Sequence, residues 1–413
     1  MKNILIAQSG GPTVAINSSL LGAFEAAKEL GFEKVYGACF GLSGLLKGEI
    51  VNLNEVLSGY NRQLLMQTPS CFLGSCRKKL LPFDGTEKTQ STYLEIAQIF
   101  KTLNIEGFLY IGGNDSMDTV SKLSTYFKTI NNKVKIIGVP KTIDNDLFAT
   151  DHCPGFGSAA KFVATAFLEL ERDCTVYGNK PTVTIVEVMG RDAGWLTAAS
   201  ALARLNGATG PNLIYCSEQN FSVEEFLNSI EHELKFSSNK AVLVAVSEGL
   251  KIESKAAEAK TDQGWFDEFC HARNAGVAKL LEKAVCAKIG CKVRSIELSL
   301  LQRCGAHLAS ATDLNEAKKI GEQATNLVKE GLTGVMATIN RKSDEPYSVD
   351  FGFVDVEQVA NRVKKMPADM FNGPADVSKK AMAYLKPLIQ GDPEIELENG
   401  LPKHLHLNKN YII

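Results

Sequence analysis

Two carboxylates and a lysine occur close together after an apolar run that predicts a buried strand. Residues 140–146 read Pro-Lys-Thr-Ile-Asp-Asn-Asp, so that Asp144 and Asp146 lie two positions apart and Lys141 precedes them. Capping of a helix does not need so many charges. Transfer of a phosphoryl group needs a base for the attacking hydroxyl, a carboxylate for magnesium and a cation for the developing charge. The segment therefore predicts phosphoryl-transfer chemistry.

Glycines follow two other predicted strands, each time just before a predicted helix. Gly10 and Gly11 let the backbone approach a phosphate, which the free N–H groups of a helix N-terminus can bind, although such a pair also serves in a plain tight turn. Residues 112–116, Gly-Gly-Asn-Asp-Ser, add side chains that are able to hold or orient a magnesium-phosphate group. Asn, Asp and Ser also cap helices well, so capping is the open alternative for this loop.

Apolar and helical patterns predict the elements that position these loops. Short apolar runs predict strands over residues 3–8, 107–111, 134–139, 183–188, 213–216 and 241–247. Amphipathic patterns predict helices over residues 17–30, from 116 to about 127, near 193–205 and over 223–236. Repeated strand–loop–helix units are typical of parallel sheets that are covered on both faces. The predicted fold class is α/β, with two doubly wound parallel-sheet domains and an active site in the cleft between them, beyond the carboxyl ends of the strands.

The motifs resemble those of the phosphofructokinase family, and the resemblance extends over most of residues 1–320. Residues 142–146, Thr-Ile-Asp-Asn-Asp, match one of the most specific signatures of that family. Further matches follow in the family's order. Residues 72–77 are similar to its phosphate-contacting loop, residues 187–191 to its sugar-phosphate strand end, residues 247–249 to its sugar-hydroxyl contact, and Gln302-Arg303 to its second phosphate arginine.

The resemblance implies a role for each matching residue. By similarity, Asp144 is the general base for the sugar 1-hydroxyl, and Asp146 assists through magnesium or by orienting the base. The implied catalytic residues are Asp144, Lys141, Asp115 and Asp146; the donor-binding residues are Gly10, Gly11, Arg77, Gly113 and Ser116; the sugar-phosphate-binding residues are Thr142, Ile143, Met189, Gly190, Arg191, Glu248, Arg294 and Arg303; and the metal ligands are Asn114 and Asp146. The resemblance also implies Mg²⁺ as cofactor, fructose 6-phosphate as acceptor, and a homodimer or homotetramer.

Two positions bear on the phosphoryl donor. ATP-using members of the family have a glycine where Asp115 stands, and they begin the later loop with Gly-Thr where this chain has Lys141 before Thr142. The bulk and negative charge of Asp115 oppose ATP, and Lys141 places a cation beside the donor phosphates. The resemblance is therefore to the pyrophosphate-dependent type, whose reaction is reversible. An ATP-dependent phosphofructokinase and a non-catalytic regulatory subunit are the alternatives.

Three of the positions that depart from the family pattern bear on metal and substrate binding. Asn114 replaces a magnesium-binding aspartate, and Leu300 stands where a histidine or tyrosine commonly contacts the sugar phosphate. Thr182 stands where ATP-using relatives have an arginine that reaches into the neighbouring subunit. Such losses are what a decayed subunit would show, but a decayed subunit is expected to lose its base first, and Asp144 is present.

Element pattern and resemblance together divide the chain into two domains. Residues 1–155 plus about 305–365 are the predicted donor domain, which takes pyrophosphate and magnesium. Residues from about 156 to 304 plus the C-terminal segment 366–413 are the predicted sugar-phosphate domain. Residues 251–272, whose charges alternate in sign, are predicted to form an inserted surface segment.

Composition and charge argue against other classes of function. Forty-five Lys and Arg against 47 Asp and Glu give a formal net charge of -2, so no overall basic field exists to hold nucleic acid or an anionic membrane. The N-terminal apolar run is too short for a signal peptide, and no stretch approaches the length of a membrane helix, so we expect a cytoplasmic protein. Ten cysteines without a C-x-x-C pair do not favour zinc or disulfides.

Overall fold

The computed structural model describes residues 2–176, 178, 180–252, 276–408 and 410–412. Its strands are β1 (Asn3–Gln8), β2 (Val35–Ala38), β3 (Ile50–Asn52), β4 (Ile105–Gly112), β5 (Lys135–Pro140), β6 (Thr182–Val188), β7 (Leu213–Tyr215), β8 (Ala241–Ser247), β9 (Lys292–Glu297), β10 (Val335–Asp344), β11 (Tyr347–Asp355), β12 (Leu397–Glu398) and β13 (Leu401–Pro402). Each of the six predicted strands is present, with ends within two residues of the prediction.

Helices connect most of these strands. They are α1 (Ile16–Glu29), α2 (Gly41–Leu45), α3 (Leu53–Val56), α4 (Asn61–Gln67), α5 (Glu87–Thr102), α6 (Asn114–Thr129), α7 (Phe156–Thr175), α8 (Trp195–Ala199), α9 (Val223–Phe236), α10 (Val277–Ile289), α11 (Leu301–Cys304), α12 (Ala311–Lys329) and α13 (Lys379–Leu385). Short 3-10 helices cover Ser200–Asn206, Ala306–Leu308, Val356–Gln358, Ala368–Met370 and Lys386–Ile389. The helix predicted near 193–205 is therefore α only at its start and continues as 3-10 turns.

A seven-stranded sheet carries the three loops that the sequence singles out, at residues 10–11, 112–116 and 140–146. Its strand order is β11-β10-β5-β4-β1-β2-β3, with β10, β5, β4, β1 and β2 parallel and an antiparallel strand at each edge. The residues of β1 from Ile4 to Ala7 are fully buried, as an unbroken apolar run in the middle of a two-sided sheet must be. Because β5, β4 and β1 are neighbours, the loops that follow them lie side by side.

A second, four-stranded sheet has the order β7-β8-β6-β9, and all its pairs are parallel. Helix α7 packs on it in a cluster of buried residues that also includes α8 and α13. The predicted α/β class with parallel sheets is confirmed. The exact division of the chain into domains stays a prediction.

Two helices that are almost 300 residues apart in sequence cross at very short range. A Cβ atom on Gly22 of α1 would lie 1.9 Å from the carbonyl oxygen of Lys318, and one on Gly321 of α12 would lie 2.1 Å from that of Ser19. Both positions must therefore be glycine for the two backbones to touch. This contact fastens the end of the family-like region onto the first helix.

The sequence predicts that segment 366–413 belongs with the second sheet. Only part of this segment contacts that sheet. Leu385 and Leu388 are buried in the cluster around α7. The last residues return to the first sheet instead: Leu405 N–H donates to Thr68 Oγ1 at 2.8 Å, and Ile412 N–H donates to the carbonyl oxygen of Ile50 at 2.8 Å. The predicted insert 251–272 lies, apart from residues 251 and 252, outside the described residues. Within the described part of the chain, no helix has both the length and the apolar character needed to cross a membrane.

Candidate functional site

Lys141 is at the centre of the predicted donor side, which consists of the loops after β1, β4 and β5. Its backbone N–H donates to the carbonyl oxygen of Gly112 at 3.0 Å, which continues the β4–β5 pairing by one residue. Its ammonium group donates to the carbonyl oxygen of Gly11, and a Cβ on Gly10 would lie 3.3 Å from it. The side chain is 2% exposed, and this burial lowers the pKa of Lys141. The structure thus joins the three predicted loops around one buried cation.

The loop of residues 72–77 forms the next wall of this side. Gly10 N–H donates to the carbonyl oxygen of Cys76 at 3.2 Å, and Ser75 Oγ donates to the carbonyl oxygen of Gly10 at 2.6 Å. Arg77 at the end of the loop is close enough to Arg303 for its positive charge to lower the pKa of Arg303, in addition to the larger effect of burial. A Cβ on Gly11 would lie 3.2 Å from Arg303 Nη1. Arg303 therefore faces the glycine loop, and Arg77 lies near Arg303.

Asp144 is a carboxyl group with an unusual pKa. Burial first, and then the charges of Asp146 and Glu248, raise the pKa of Asp144 to about 7, although Arg191 and Lys141 act in the opposite direction. Its backbone N–H donates to Thr142 Oγ1 at 3.1 Å. A carboxyl group with a pKa close to neutrality can accept a proton in one step and release it in another.

Asp146 lies in the same loop, and burial likewise raises its pKa, while a hydrogen bond from the Thr142 side chain and the charge of Lys364 act against that rise. Ile143 points the other way: it is 6% exposed and belongs to the apolar cluster of the second sheet. Because Ile143 is anchored in this apolar cluster, it holds in place the polar residues that precede and follow it in the loop. Its predicted role in binding the sugar phosphate can involve only the backbone.

The loop after β6 forms the opposite wall. Met189 N–H donates to Gln302 Oε1 at 3.2 Å, and Gly190 N–H donates to Glu248 Oε1 at 3.3 Å. Burial raises the pKa of Glu248, and the charges of Arg191 and Arg303 oppose this effect. The carboxyl ends of β6 and β8 therefore meet those of β1, β4 and β5 across Asp144, which lies between the two sheets.

The predicted family is supported by its family model. The model described as "Phosphofructokinase" matches residues 3–328. The chain belongs to the phosphofructokinase family. A pyrophosphate–fructose 6-phosphate 1-phosphotransferase of Halomonas elongata is 36% identical to it over 99% of this chain and 97% of that protein. The solved pyrophosphate-dependent phosphofructokinase of Marinobacter aquaeolei superposes with a TM-score of 0.88 at 33% identity, over 100% of this chain and 98% of that one. A sulfofructose kinase of Alkalicoccus urumqiensis is 30% identical over 89% of this chain and 91% of its own length.

One predicted sugar-phosphate residue of this phosphofructokinase lies away from the others. Arg294 is in the middle of β9, opposite Thr184 of β6, and three residues before Glu297, the last residue of β9. It pairs with Asp173 at 3.7 Å, and its side chain is 40% exposed. Within the described protomer, Arg294 therefore does not join Arg191 and Arg303.

Asn114 has a different task from the predicted one. Its side-chain oxygen accepts the N–H of Asn361 at 2.6 Å, and its side-chain nitrogen donates to the carbonyl oxygen of Arg362 at 2.5 Å. Both ends of the amide are thus used to hold a distant segment against the start of α6. This use does not favour Asn114 as a magnesium ligand, and it accounts for the amide at a position where the family usually has aspartate.

The neighbours of Asn114 differ in their exposure. Asp115, in the first turn of α6, is partly exposed and lies 3.3 Å from the ammonium of Lys79. Gly113 is in contact with the donor side, since a Cβ there would lie 3.5 Å from the carbonyl oxygen of Lys141. Ser116 is 2% exposed and packs against Gly112, so its side chain supports the loop from behind.

Two residues near the loop of Asp144 were not found from the sequence. Burial raises the pKa of the Cys71 thiol, and the charges of Lys141 and Arg303 act against this rise, which places the thiol beside the donor side. Lys364 donates to Asn145 Oδ1 at 3.2 Å. The segment around Lys364 carries no motif, and it follows the region that the family model matches, so no sequence signal pointed to it.

Few side chains of this site are suited to hold a metal. The described residues contain no group of three or more His, Cys, Asp or Glu that could bind a metal ion. Asp144 and Asp146 are the acidic side chains of the loop, and both have raised pKa values. A divalent cation between them would remove the repulsion that contributes to the pKa of Asp144. This donor set fits Mg²⁺, which usually binds one or two carboxylates and takes its other ligands from phosphates and water.

Proposed function

We propose that this phosphofructokinase transfers a phosphoryl group from inorganic pyrophosphate to the 1-hydroxyl of fructose 6-phosphate, and that the reaction is reversible. The observation that carries the choice of donor is Lys141, a buried cation whose ammonium contacts the Gly10–Gly11 loop. A charge in that position favours a compact, highly charged donor. The pyrophosphate-dependent relatives in Halomonas elongata and Marinobacter aquaeolei agree with this choice.

Asp144 is the proposed general base. As the oxygen of the sugar 1-hydroxyl forms its bond to the terminal phosphorus, the bond from that phosphorus to the bridging oxygen breaks, and phosphate leaves. The hydroxyl proton passes to the Asp144 carboxylate. With a pKa of about 7, Asp144 is a stronger base than an ordinary aspartate and still deprotonated in a large fraction of molecules at neutral pH. In the reverse direction the same carboxyl returns the proton to the sugar oxygen.

Cations on the donor side stabilise the charge of the transferred group. Lys141 and Arg303 approach the glycine loop, and Arg77 adds a third positive charge near Arg303. In a loose transition state the charge lies on the equatorial oxygens and on the leaving phosphate, so preorganised cations contribute most there. Arg303 was predicted to bind the 6-phosphate, but its contact with the Gly11 side supports a place between the donor and the sugar.

Magnesium completes the proposed donor site. Asp146, with Asp144 beside it, would hold the ion, which supplies charge neutralisation on the pyrophosphate oxygens. Asn114 is left out of this proposal because its amide binds the backbone of residues 361 and 362. Thr142 keeps Asp144 and Asp146 in one geometry by bonding to both, once through its oxygen to a backbone N–H and once to a side chain.

The sugar phosphate is proposed to bind to the loop after β6. Arg191 offers a guanidinium for the 6-phosphate, Glu248 an acceptor for a sugar hydroxyl, and Met189 and Gly190 the backbone that shapes the wall. Arg294 can reach a sugar-phosphate site only in a neighbouring subunit, because it lies exposed on β9. A homodimer or homotetramer is therefore part of the proposal. A cytoplasmic location is also part of it.

A comparison of donors tests this function. Purified protein with magnesium and fructose 6-phosphate receives either pyrophosphate or ATP, and fructose 1,6-bisphosphate is followed. We expect product with pyrophosphate alone; product with ATP alone would overturn the donor assignment. The double variant Asp115→Gly, Lys141→Gly is expected to lose the pyrophosphate reaction and to accept ATP, whereas loss of pyrophosphate activity without any ATP binding would count against the roles of both side chains.

The regulatory-subunit alternative is tested by a single variant. Asp144→Ala is expected to abolish turnover and to leave the binding of fructose 6-phosphate measurable by calorimetry, because Arg191, Glu248 and Arg303 remain. Turnover by Asp144→Ala equal to that of the wild type would remove Asp144 as the base. A wild-type protein that binds the sugar phosphate but turns over with neither donor would favour the non-catalytic reading. A preference for sulfofructose over fructose 6-phosphate would move the acceptor towards that of the sulfofructose kinase of Alkalicoccus urumqiensis.

A further inference from the structure

Residues 361–366 form a connecting segment that bonds to both sides of the site. Asn361 N–H reaches the side-chain oxygen of Asn114 at 2.6 Å, at the start of the donor-side helix α6. At the other end, Met366 N–H donates to Glu218 Oε1 at 3.0 Å, and this carboxylate also accepts the N–H of Gly194 at 3.0 Å, on the side of the second sheet. The segment lies outside residues 3–328, the part that the family model matches.

Lys364 is in the middle of this segment and bonds to the Asp144–Asp146 loop with both its backbone and its side chain. Its backbone N–H donates to the carbonyl oxygen of Asp146 at 2.7 Å. Its ammonium donates to Asn145 Oδ1 at 3.2 Å, to the carbonyl oxygen of Thr150 at 3.2 Å and to that of Asp151 at 2.7 Å. An ammonium has three N–H donors, so these three oxygens use all of them. Lys364 therefore holds the loop at two places, first at Asn145 and Asp146 and again at Thr150 and Asp151.

The residue that Lys364 holds in place is conformationally strained. Asn145 lies between the two functional carboxylates, is fully buried and has a φ of 54°. Its side-chain oxygen also accepts the N–H of Cys153 at 3.1 Å, and its side-chain nitrogen donates to the hydroxyl of Tyr384 at 3.1 Å. A residue other than glycine keeps such a backbone conformation only where its surroundings determine it strongly. Loss of the ammonium removes one of the bonds that do so.

Trp195, on the side of the second sheet, also contacts Lys364. Trp195 Nε1 donates to the carbonyl oxygen of Lys364 at 3.0 Å, and the ammonium lies 5.4 Å from the centre of the Trp195 ring. The ammonium is thus held between an aromatic face and the oxygens of the loop. Its position is fixed by residues of both sides, which makes it a rigid support for the carboxylates.

We propose that Lys364 is a positioning residue for phosphoryl transfer, which holds Asp144 and Asp146 in the reactive geometry through Asn145 and the backbone of Asp146. This inference rests on the proposed function of Asp144 as the base. It assigns to Lys364 no contact with the substrates. It predicts a loss in the chemical step without a loss in sugar binding, because Met189, Gly190 and Glu248 are held by Gln302 and by one another.

The test compares Lys364→Met with Lys365→Met. Methionine keeps most of the length of the side chain and removes the three donors, while Lys365 is the exposed neighbour in the same segment and serves as the control. For each purified, folded variant, kcat and KM are measured with the donor that supports turnover in the wild type, and fructose 6-phosphate binding is measured by calorimetry. A small displacement of reacting groups costs about 100-fold in rate, and we expect a loss of that order in kcat for Lys364→Met. For Lys364→Met, the affinity for fructose 6-phosphate should equal that of the wild type. For Lys365→Met, kcat, KM and this affinity should all equal those of the wild type.

The opposite results are equally clear. A folded Lys364→Met protein with the kcat of the wild type would overturn the inference, and so would a loss confined to sugar binding. If this variant does not fold, Lys364→Arg carries the test: it keeps the charge, but a planar guanidinium cannot direct its donors at the same three oxygens, so kcat should fall by about tenfold. An Arg variant with unchanged kcat would refute the role. Failure of the wild type with pyrophosphate concerns the proposed donor and leaves the comparison of variants intact.

Discussion

Replacement of Asp144 by Asn is expected to make the folded protein more stable while it removes the proposed base. Burial, followed by the charges of Asp146 and Glu248, raises the pKa of Asp144 from 3.8 to about 7. Ionisation of this carboxyl is therefore less favourable in the folded chain than in the unfolded chain. The resulting loss of stability is absent below about pH 4, grows as the pH rises towards 7 and is constant above it. Asn, which has the shape of the protonated acid and no charge, does not suffer this loss.

The size of the effect follows from the difference in pKa. One pKa unit corresponds to about 1.4 kcal/mol, so Asp144→Asn should gain up to about 4 kcal/mol in the free energy of unfolding at pH 8 and about 2 kcal/mol at pH 5. Urea unfolding of both proteins at the two pH values, without magnesium or substrates, measures the difference. The control Asp369→Asn removes an exposed carboxylate that pairs with Lys380, and it should change stability by no more than about 0.5 kcal/mol at either pH.

The reasoning is refuted if Asp144→Asn is less stable than the wild type at pH 8, or if its gain is the same at pH 5 and pH 8. Either result would mean that the cleft does not disfavour the charge of Asp144. The turnover of the same samples separates the two consequences, because a stabilised protein without activity is the signature of a functional group that is held at a cost to the fold.

Three further predictions concern other parts of the site. In Asp146→Asn without magnesium, one cause of the raised pKa of Asp144 is gone, so the pKa of Asp144, obtained from the pH dependence of urea unfolding, should be lower than in the wild type. An unchanged pKa of Asp144 would exclude Asp146 as a cause. In Gly249→Ala, the new Cβ would lie 1.9 Å from the carbonyl oxygen of Arg191, at the proposed sugar-phosphate wall, so KM for fructose 6-phosphate should rise by about tenfold. Gly178→Ala, with open space around its Cβ, should leave KM unchanged. Asn114→Ala removes two hydrogen bonds to residues 361 and 362 and should lower the free energy of unfolding by about 1 kcal/mol; an unchanged urea midpoint would show that these bonds do not contribute.

Much of the fold was predictable because short apolar runs and helical periodicity determine it locally. The strands from Asn3 to Gln8 and from Ala241 to Ser247 were located to the residue, since they are buried on both faces and bounded by polar or glycine residues. The antiparallel hairpin of β10 and β11 was not predicted. Its burial alternates along much of its length. It pairs with β5, which lies about 200 residues earlier in the chain, and local patterns cannot indicate such a pairing.

The same distinction applies to the site. Lys141, Asp144 and Asp146 were found because one short loop contains them and its chemistry is specific. The position of Arg294 was not predictable from its type, since its strand register with Thr184 decides which end of the sheet it approaches. Lys364 gave no signal at all: the oxygens that its ammonium binds lie more than 200 residues away in sequence, and only the folded chain brings the ammonium to the loop.

The order in which the strands of the two sheets occur along the chain has a consequence for biosynthesis. The four strands of the second sheet are all present once residue 297 has been made, but the first sheet still lacks β10 and β11, which start at Val335. A nascent chain therefore contains the complete Asp144–Asp146 loop long before the lysine at position 364 is translated. Because a domain folds once the ribosome has released all of it, the first sheet must wait for β10 and β11, and the core around the second sheet must wait for Leu385 and Leu388. Polypeptides that terminate early in this interval would carry every motif of the family and yet have no ordered centre for the reaction.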